Sequence, residues 1–160
     1  MAKKLYLLLE ELRQVNYKTK VKHLYTSEVN HKLVMFLESK EEEFVYISHS
    51  EGILDPNVEM EPYKVKLVKD VDLWSLFCGE MISRFCRERG FDTLVFLFNG
   101  EQYEKLESKI KSYSITIENP LKFFRTKELK IRWIDSELQK GVCNRLKNNN
   151  VISLIERRGR

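Results

Sequence analysis

Three short stretches of the chain are apolar at almost every position: Lys4 to Glu10 (KLYLLLE), Glu43 to Ser48 and Thr93 to Phe98 (TLVFLF). Runs this short and continuous suit strands buried on both faces. The β-branched and aromatic content of FVYIS and TLVFLF favours a pleated, packed surface. Between these runs the apolar period changes to that of a helix. Thr26 or Ser27 can cap a helix that carries Val29, Leu33, Val34, Phe36 and Leu37 and ends near Lys40. Asp70 or Asp72 opens the strongest helical segment, in which Leu73, Leu76, Phe77, Met81, Ile82 and Phe85 are expected to face inward and Gly90 to end the helix. Tyr103, Leu106 and Ile110 mark another helix, SITIE at Ser114 to Glu118 a fourth strand, and Thr126 to Lys140 a last helix. Right-handed crossovers place such alternating helices over a sheet. The pattern therefore predicts a three-layer α/β domain over residues 1–140, with an about four-stranded, mainly parallel sheet and helices on both faces. Residues 141–160 read as a basic C-terminal appendage. One stretch departs from the pattern. After Ser48 the chain enters a long, carboxylate-rich loop through Tyr63, punctuated by Gly52, Pro56 and Pro62.

With 160 residues, 42% of them hydrophobic and 32% charged, the chain fits one globular domain. No apolar run approaches the roughly 20 residues of a membrane span, and MAKKLYLLLEELRQ lacks a small-residue cleavage site, so a cytoplasmic protein without a membrane partner is expected. The three cysteines make no disulfide framework, and Cys78 and Cys86 read as small core residues within one helix. His23, His31 and His49 have no spacing that joins them to those cysteines. Neither a metal nor a cofactor is expected.

The net charge of +4 changes the picture less than its distribution does. From Glu38 to Glu61 eight carboxylates face the single Lys40, whereas Lys122 to the C-terminus holds eleven Lys/Arg against four acids. Arg13 to Lys32 adds five basic residues against Glu28. Segregation of this kind can draw a polyanion to one side of a protein. Lys18, Lys20, Lys22, Arg145, Lys147, Arg157, Arg158 and Arg160 are the nucleic-acid-binding candidates. The apolar part of the C-terminal segment offers a surface for a homodimer or another protein partner.

In open α/β sheets ligands sit beyond the carboxyl ends of the strands. That rule gathers Glu10 and Glu11, the segment Ser48 to Gly52, Asn99 with Gly100, and Glu118 with Asn119. Ser48, Ser50, Gly52, Tyr63, Asn99, Gly100, Tyr103 and Asn119 are the ligand-binding candidates, with Asn99-Gly100 ahead of a helix suited to an anion. His49 is the natural general base, because imidazole titrates near neutrality. Glu10, Glu11 and Glu61 are the carboxylates that could work with it as acid and base. Adjacent residues of an extended chain point in opposite directions, so Ser48 and His49 do not make a nucleophile–base pair.

The strand ending in Ser48, the turn Gly52-Ile53-Leu54-Asp55-Pro56 and the pair Pro62-Tyr63 resemble bacterial peroxide-stress proteins of the YaaA-like family. They resemble more closely a group of small uncharacterised domains from bacteria, archaea and their viruses. LYTS at Leu24 to Ser27, LVFLF with Gly100 and Tyr103, and ENPL at Glu118 to Leu121 extend the match across roughly Leu5 to Leu138. The resemblance implies a three-layer α/β domain and an association with DNA. Those domains carry a Ser-Cys-Gly-Lys-like stretch after the first strand, where this chain has Leu8 to Glu11, and a basic residue where it has Ser50. The expectation is therefore a degenerate member, archaeal or viral, that binds nucleic acid or a nucleotide without catalysis. The alternatives are a nucleobase- or nucleotide-processing enzyme with a strand-end cleft and a protein-interaction module of a virus or mobile element.

Overall fold

A computed structural model of the chain describes residues 1–110 and 114–158, with side chains described through residue 144. The central element is β1 (Lys4–Leu9), which pairs in parallel with β3 (Phe44–Ser48) on one side and β6 (Thr93–Phe96) on the other. β7 (Thr116–Glu118) continues the parallel sheet beyond β6, and β4 (Gly52–Leu54) folds back antiparallel on β3. The sheet thus has five strands in the order β4-β3-β1-β6-β7, which is the α/β class expected with one extra edge strand.

Period-2 alternation splits the core. Leu5 and Leu7, Val45 and Ile47, and Leu94 and Phe96 face one side, where they meet α3 (Val71–Arg89) and α4 (Glu101–Ile110). Tyr6 and Leu8, Phe44 and Tyr46, and Val95 and Leu97 face the other, against α1 (Val21–Leu24), α2 (Glu28–Ser39) and α5 (Lys127–Arg158). Helices on both faces make three layers. α5 runs without interruption past Lys140, where an appendage was expected to begin. Among the described residues no helix is long and apolar enough to cross a membrane.

Two expectations about local structure need correction. The first concerns α3, which Asp70 caps through a hydrogen bond from the Leu73 amide and Gly90 ends in the left-handed conformation. Its buried face is Trp74, Ser75, Cys78, Gly79, Ile82, Ser83 and Cys86, whereas Leu73, Leu76 and Phe77 are exposed. The reason is steric. A Cβ on Gly79 would come within 2.9 Å of the Lys109 Cβ, so small residues on α3 are what let α4 approach. Ser75 and Ser83 bury without penalty because their hydroxyls donate to the carbonyls of Asp72 and Gly79. A search for the most hydrophobic stripe selects the larger residues and misses this packing.

The second concerns the long loop, which contains β4 and β5 (Glu59–Met60). β5 pairs antiparallel with β2 (Thr19–Lys20), so Lys20 lies opposite Glu59. Lys18 sits 3.9 Å from Glu59, and Lys22 forms an ion pair with Glu38. The acidic loop and the basic connector, far apart in sequence, lie against each other and offset one another.

Candidate functional site

The register of the sheet assembles the site. Because Leu9 pairs with Ile47, Glu10 falls beside Ser48, and its amide extends the ladder by donating to the Ile47 carbonyl at 3.0 Å. Alternation sends the Glu10 side chain to the α2 face of the sheet and the His49 side chain to the α3 face. The two meet around the end of β3. One carboxylate oxygen of Glu10, Oε1, accepts from the His49 backbone N–H at 2.6 Å and lies 2.8 Å from His49 Nδ1. Its other oxygen, Oε2, accepts from the Tyr63 hydroxyl.

Glu10 is only 5% exposed. Burial opposes its ionisation, yet hydrogen bonds, chiefly those from His49 and Tyr63, prevail and hold the carboxyl below its ordinary range. An ionised carboxylate only accepts hydrogen bonds, so the proton between it and the imidazole belongs to Nδ1. In the neutral imidazole Nε2 then carries the free lone pair, and it has no hydrogen-bond partner among the described residues. Trp74 stacks on the imidazole, with ring centroids 5.1 Å apart and planes 19° from parallel. These contacts fix both the tautomer and the plane of the ring.

A chain of phenols backs the carboxylate. Tyr63 spends its proton on Glu10, so the Tyr25 hydroxyl must donate to Tyr63 across their 2.8 Å contact. Burial first, and then the bond to Glu10, push the Tyr63 phenol up to about 12, and burial raises Tyr25 further in the same direction. Both phenols remain protonated near neutrality. Gln14 secures Tyr63 by accepting its backbone N–H at 2.9 Å. Deeper on the same face, Asn30 accepts from Tyr46 at 2.6 Å and donates to the carbonyls of Lys22 and Tyr25.

The Glu10–His49 pair stands between two cavities. On the α3 side a mainly apolar cavity of about 320 Å³ is lined by His49, Trp74, Phe77, Val68, Gly52 and Ser50, among others. On the opposite side a cavity of about 210 Å³ is lined by Glu10, Glu11, Asn30, Asn99 and Lys130, among others. Burial holds the Lys130 ammonium below its ordinary range. A larger cavity of about 600 Å³ lies elsewhere, between α3 and the opposite ends of the strands. Its carboxylates Glu42, Glu43, Glu51, Asp55 and Glu88 are half-buried or exposed, and no histidine is among its lining residues.

The candidates from the sequence fare unequally. His49 and Tyr63 sit at the centre. Glu11 is beside them but is committed to Ser27, accepting its hydroxyl at 2.6 Å while Ser27 caps α2. Glu61 is exposed and makes no hydrogen bond or ion pair among the described residues. Ser48 is a buried turn former whose hydroxyl accepts from the amides of Ser50 and Glu51. Ser50 and Gly52 line the apolar cavity, and Gly52 has φ +78°. Asn99 and Asn119 are braces: Asn99 donates to the carbonyls of Leu121 and Phe124, and Asn119 donates to that of Phe98. Gly100, with φ +94°, turns the chain into α4, and Tyr103 packs in the core against Phe96. The side chains of Arg145, Lys147, Arg157 and Arg158, and Arg160 altogether, lie outside the described residues. Among the described residues no group of three or more His, Cys, Asp or Glu could hold a metal ion. Tyr25, Asn30, Trp74 and Lys130 carry no signal in the sequence that marks them as site residues, because all four come from helices or connectors whose docking follows from the tertiary fold.

These features define a class: a three-layer, mainly parallel α/β domain with an oriented carboxylate–histidine pair at its strand ends. The chain belongs to a family of unknown function, DUF6884, which matches residues 11–136. It is similar to the crystal structure of AF0587, a protein of unknown function, with a TM-score of 0.48 and 14% identity over 84% of this chain. The match covers 44% of that protein, so the present chain spans less than half of its length. No curated protein matches the chain.

Proposed function

We propose that the protein is an acid–base enzyme that hydrolyses a nucleobase- or nucleotide-type substrate, with His49 as the proton-transferring residue. The observation that carries this reading is the contact between buried, ionised Glu10 and Nδ1 of His49, a residue that lines a cavity, which in the neutral imidazole leaves Nε2 as the base. In the proposed step a water gives its proton to Nε2 as its oxygen bonds to an electrophilic carbon of the substrate. The imidazolium, held by Glu10, then returns the proton to the departing nitrogen or oxygen. Glu10 acts here as the positioning residue. Trp74 and Phe77 give the α3-side cavity flat apolar walls, which suit a planar base, and its volume of about 320 Å³ accommodates one. The offset charges at Lys18, Lys20 and Lys22 favour a small ligand in this cleft over a polyanion on the connector.

The test is incubation of the purified protein with nucleosides, nucleotides and natural or modified oligonucleotides, followed by mass spectrometry of the products. Hydrolysis lost in His49→Ala and reduced about 100-fold or more in Glu10→Gln, with both variants folded, is the expected result. Hydrolysis undiminished by His49→Ala refutes the assignment.

A further inference from the structure

The segment from Asn119 to Lys127, NPLKFFRTK, contains three cations and no carboxylate. It leaves β7 at the carboxyl end of the sheet and leads into α5, and it meets the cavity of about 210 Å³ only through Asn99, which its Leu121 and Phe124 carbonyls hold, and through Lys130 on α5, since none of its own residues lines it. Its shape is fixed from beneath. Leu121 is fully buried, and Phe124 packs partly buried on the same core. Asn99 donates to the carbonyls of both at 3.0 and 2.9 Å, and the Lys122 and Phe124 amides close turns onto Asn119 and Leu121. With those residues anchored, Phe123 is turned outward and is 83% exposed.

A single exposed phenylalanine is ordinary on a protein surface. This one is presented by a braced turn and flanked by positive charge. The Lys122 ammonium lies 6.0 Å from the Phe123 ring centroid, and Arg125 is exposed two residues further on. Neither Lys122 nor Arg125 makes an ion pair among the described residues. Lys127 pairs with Glu28, and Lys130 turns toward the cavity. An exposed aromatic face bordered by unpaired cations is what binding of unstacked bases along a phosphate backbone requires. An apolar protein partner would gain nothing from the two unpaired charges, and a duplex would keep its bases away from the ring.

We infer that this turn is a binding platform for single-stranded nucleic acid: Phe123 stacks on a base while Lys122 and Arg125 meet the adjacent phosphates. The inference rests on the acid–base reading of the cleft and narrows its substrate to a base carried within a strand. A strand held there would have to pass around the ends of β1 and β3 to bring a further base to His49 in the cavity on the α3 face.

Fluorescence anisotropy with labelled single-stranded DNA and RNA of about twelve nucleotides, with duplexes of the same sequences for comparison, tests it. Wild type should prefer single strands. Phe123→Ala should weaken single-strand binding by about 5- to 150-fold, the range that follows from loss of one base–aromatic stack. The double variant Lys122→Ala/Arg125→Ala should lower the slope of log affinity against log salt by about 0.7 per lost phosphate contact. All three side chains are exposed, and an unchanged melting temperature would show that each variant is folded. Single-strand binding that survives both changes overturns the inference, as does equal affinity for duplexes. Hydrolysis of free nucleosides lost in His49→Ala, in a protein that binds no strand, would overturn it while leaving the acid–base reading intact. Strand binding lost in Phe123→Ala, in a protein without hydrolytic activity, would do the reverse.

Discussion

Replacing Glu10 by glutamine removes the charge on which the site is built while conserving its shape. In the native protein three donors converge on this carboxylate: the His49 amide, His49 Nδ1 and the Tyr63 hydroxyl. A hydrogen bond to a charged group contributes about 1.5–3 kcal/mol and a neutral one about 0.5–1.5. Three bonds weakened by about 1 kcal/mol each, less the relief of no longer burying a charge, give a loss of roughly 2–3 kcal/mol. For a chain of this size that corresponds to a fall in Tm of roughly 4–12 °C. The pH dependence follows from the direction of the shift. The folded-state value lies below the ordinary 4.5, so the ionised carboxylate stabilises the fold fully above that pH, and the contribution is lost as pH falls through the folded value. The assay is urea unfolding of wild type and Glu10→Gln at pH 7 and at steps below pH 4.5. The gap between them should be widest near neutrality and close in acid, as the wild-type carboxyl takes up its proton. A gap under about 0.5 kcal/mol at pH 7, or one that does not shrink in acid, would show that Glu10 does not hold the site as described.

Gly52 offers a second perturbation: φ there is +78°, and a Cβ would come within 3.0 Å of the Met81 sulfur, so Gly52→Val should cost on the order of 1–3 kcal/mol in the same unfolding assay. A loss below 0.5 kcal/mol would mean that the turn relaxes freely. Burial pushes the thiols of Cys78 and Cys86 up to about 11, whereas Cys143 is exposed. Titration of the native protein with a thiol reagent should therefore give one fast-reacting group, with the other two appearing only on unfolding. Three fast groups would contradict the packing of α3.

The strands and helices were legible because period and composition agreed at each of them: β1, β3 and β6 are nearly continuous apolar runs, and Ser27 and Asp70 cap the helices that follow them. What escaped the sequence depends on partners distant along the chain. The buried face of α3 is chosen by the approach of α4 to Gly79, which no property of α3 alone reveals. β4 and β5 are strands of three and two residues that exist only because β3 and β2 pair with them. Glu10, His49 and Tyr63 were each visible near strand or loop ends. Their mutual contact follows from the register of β1 on β3 and from the return of the loop, neither of which is encoded locally. The turn from Ser48 to Pro56 and the Pro62-Tyr63 pair serve to close β4 on β3 and to deliver the Tyr63 hydroxyl to Glu10.

The central claim is that ionised Glu10 holds the neutral His49 imidazole as its Nδ1–H tautomer, which leaves Nε2 unprotonated in that form. Long-range ¹H–¹⁵N correlation of the imidazole, recorded above neutral pH in wild type and in Glu10→Gln, observes this directly. The wild-type ring should show protonated Nδ1 and bare Nε2, with the preference lost when the carboxylate is replaced. A wild-type His49 bearing its proton on Nε2 would contradict the account, because the base it assigns to the cavity would not exist.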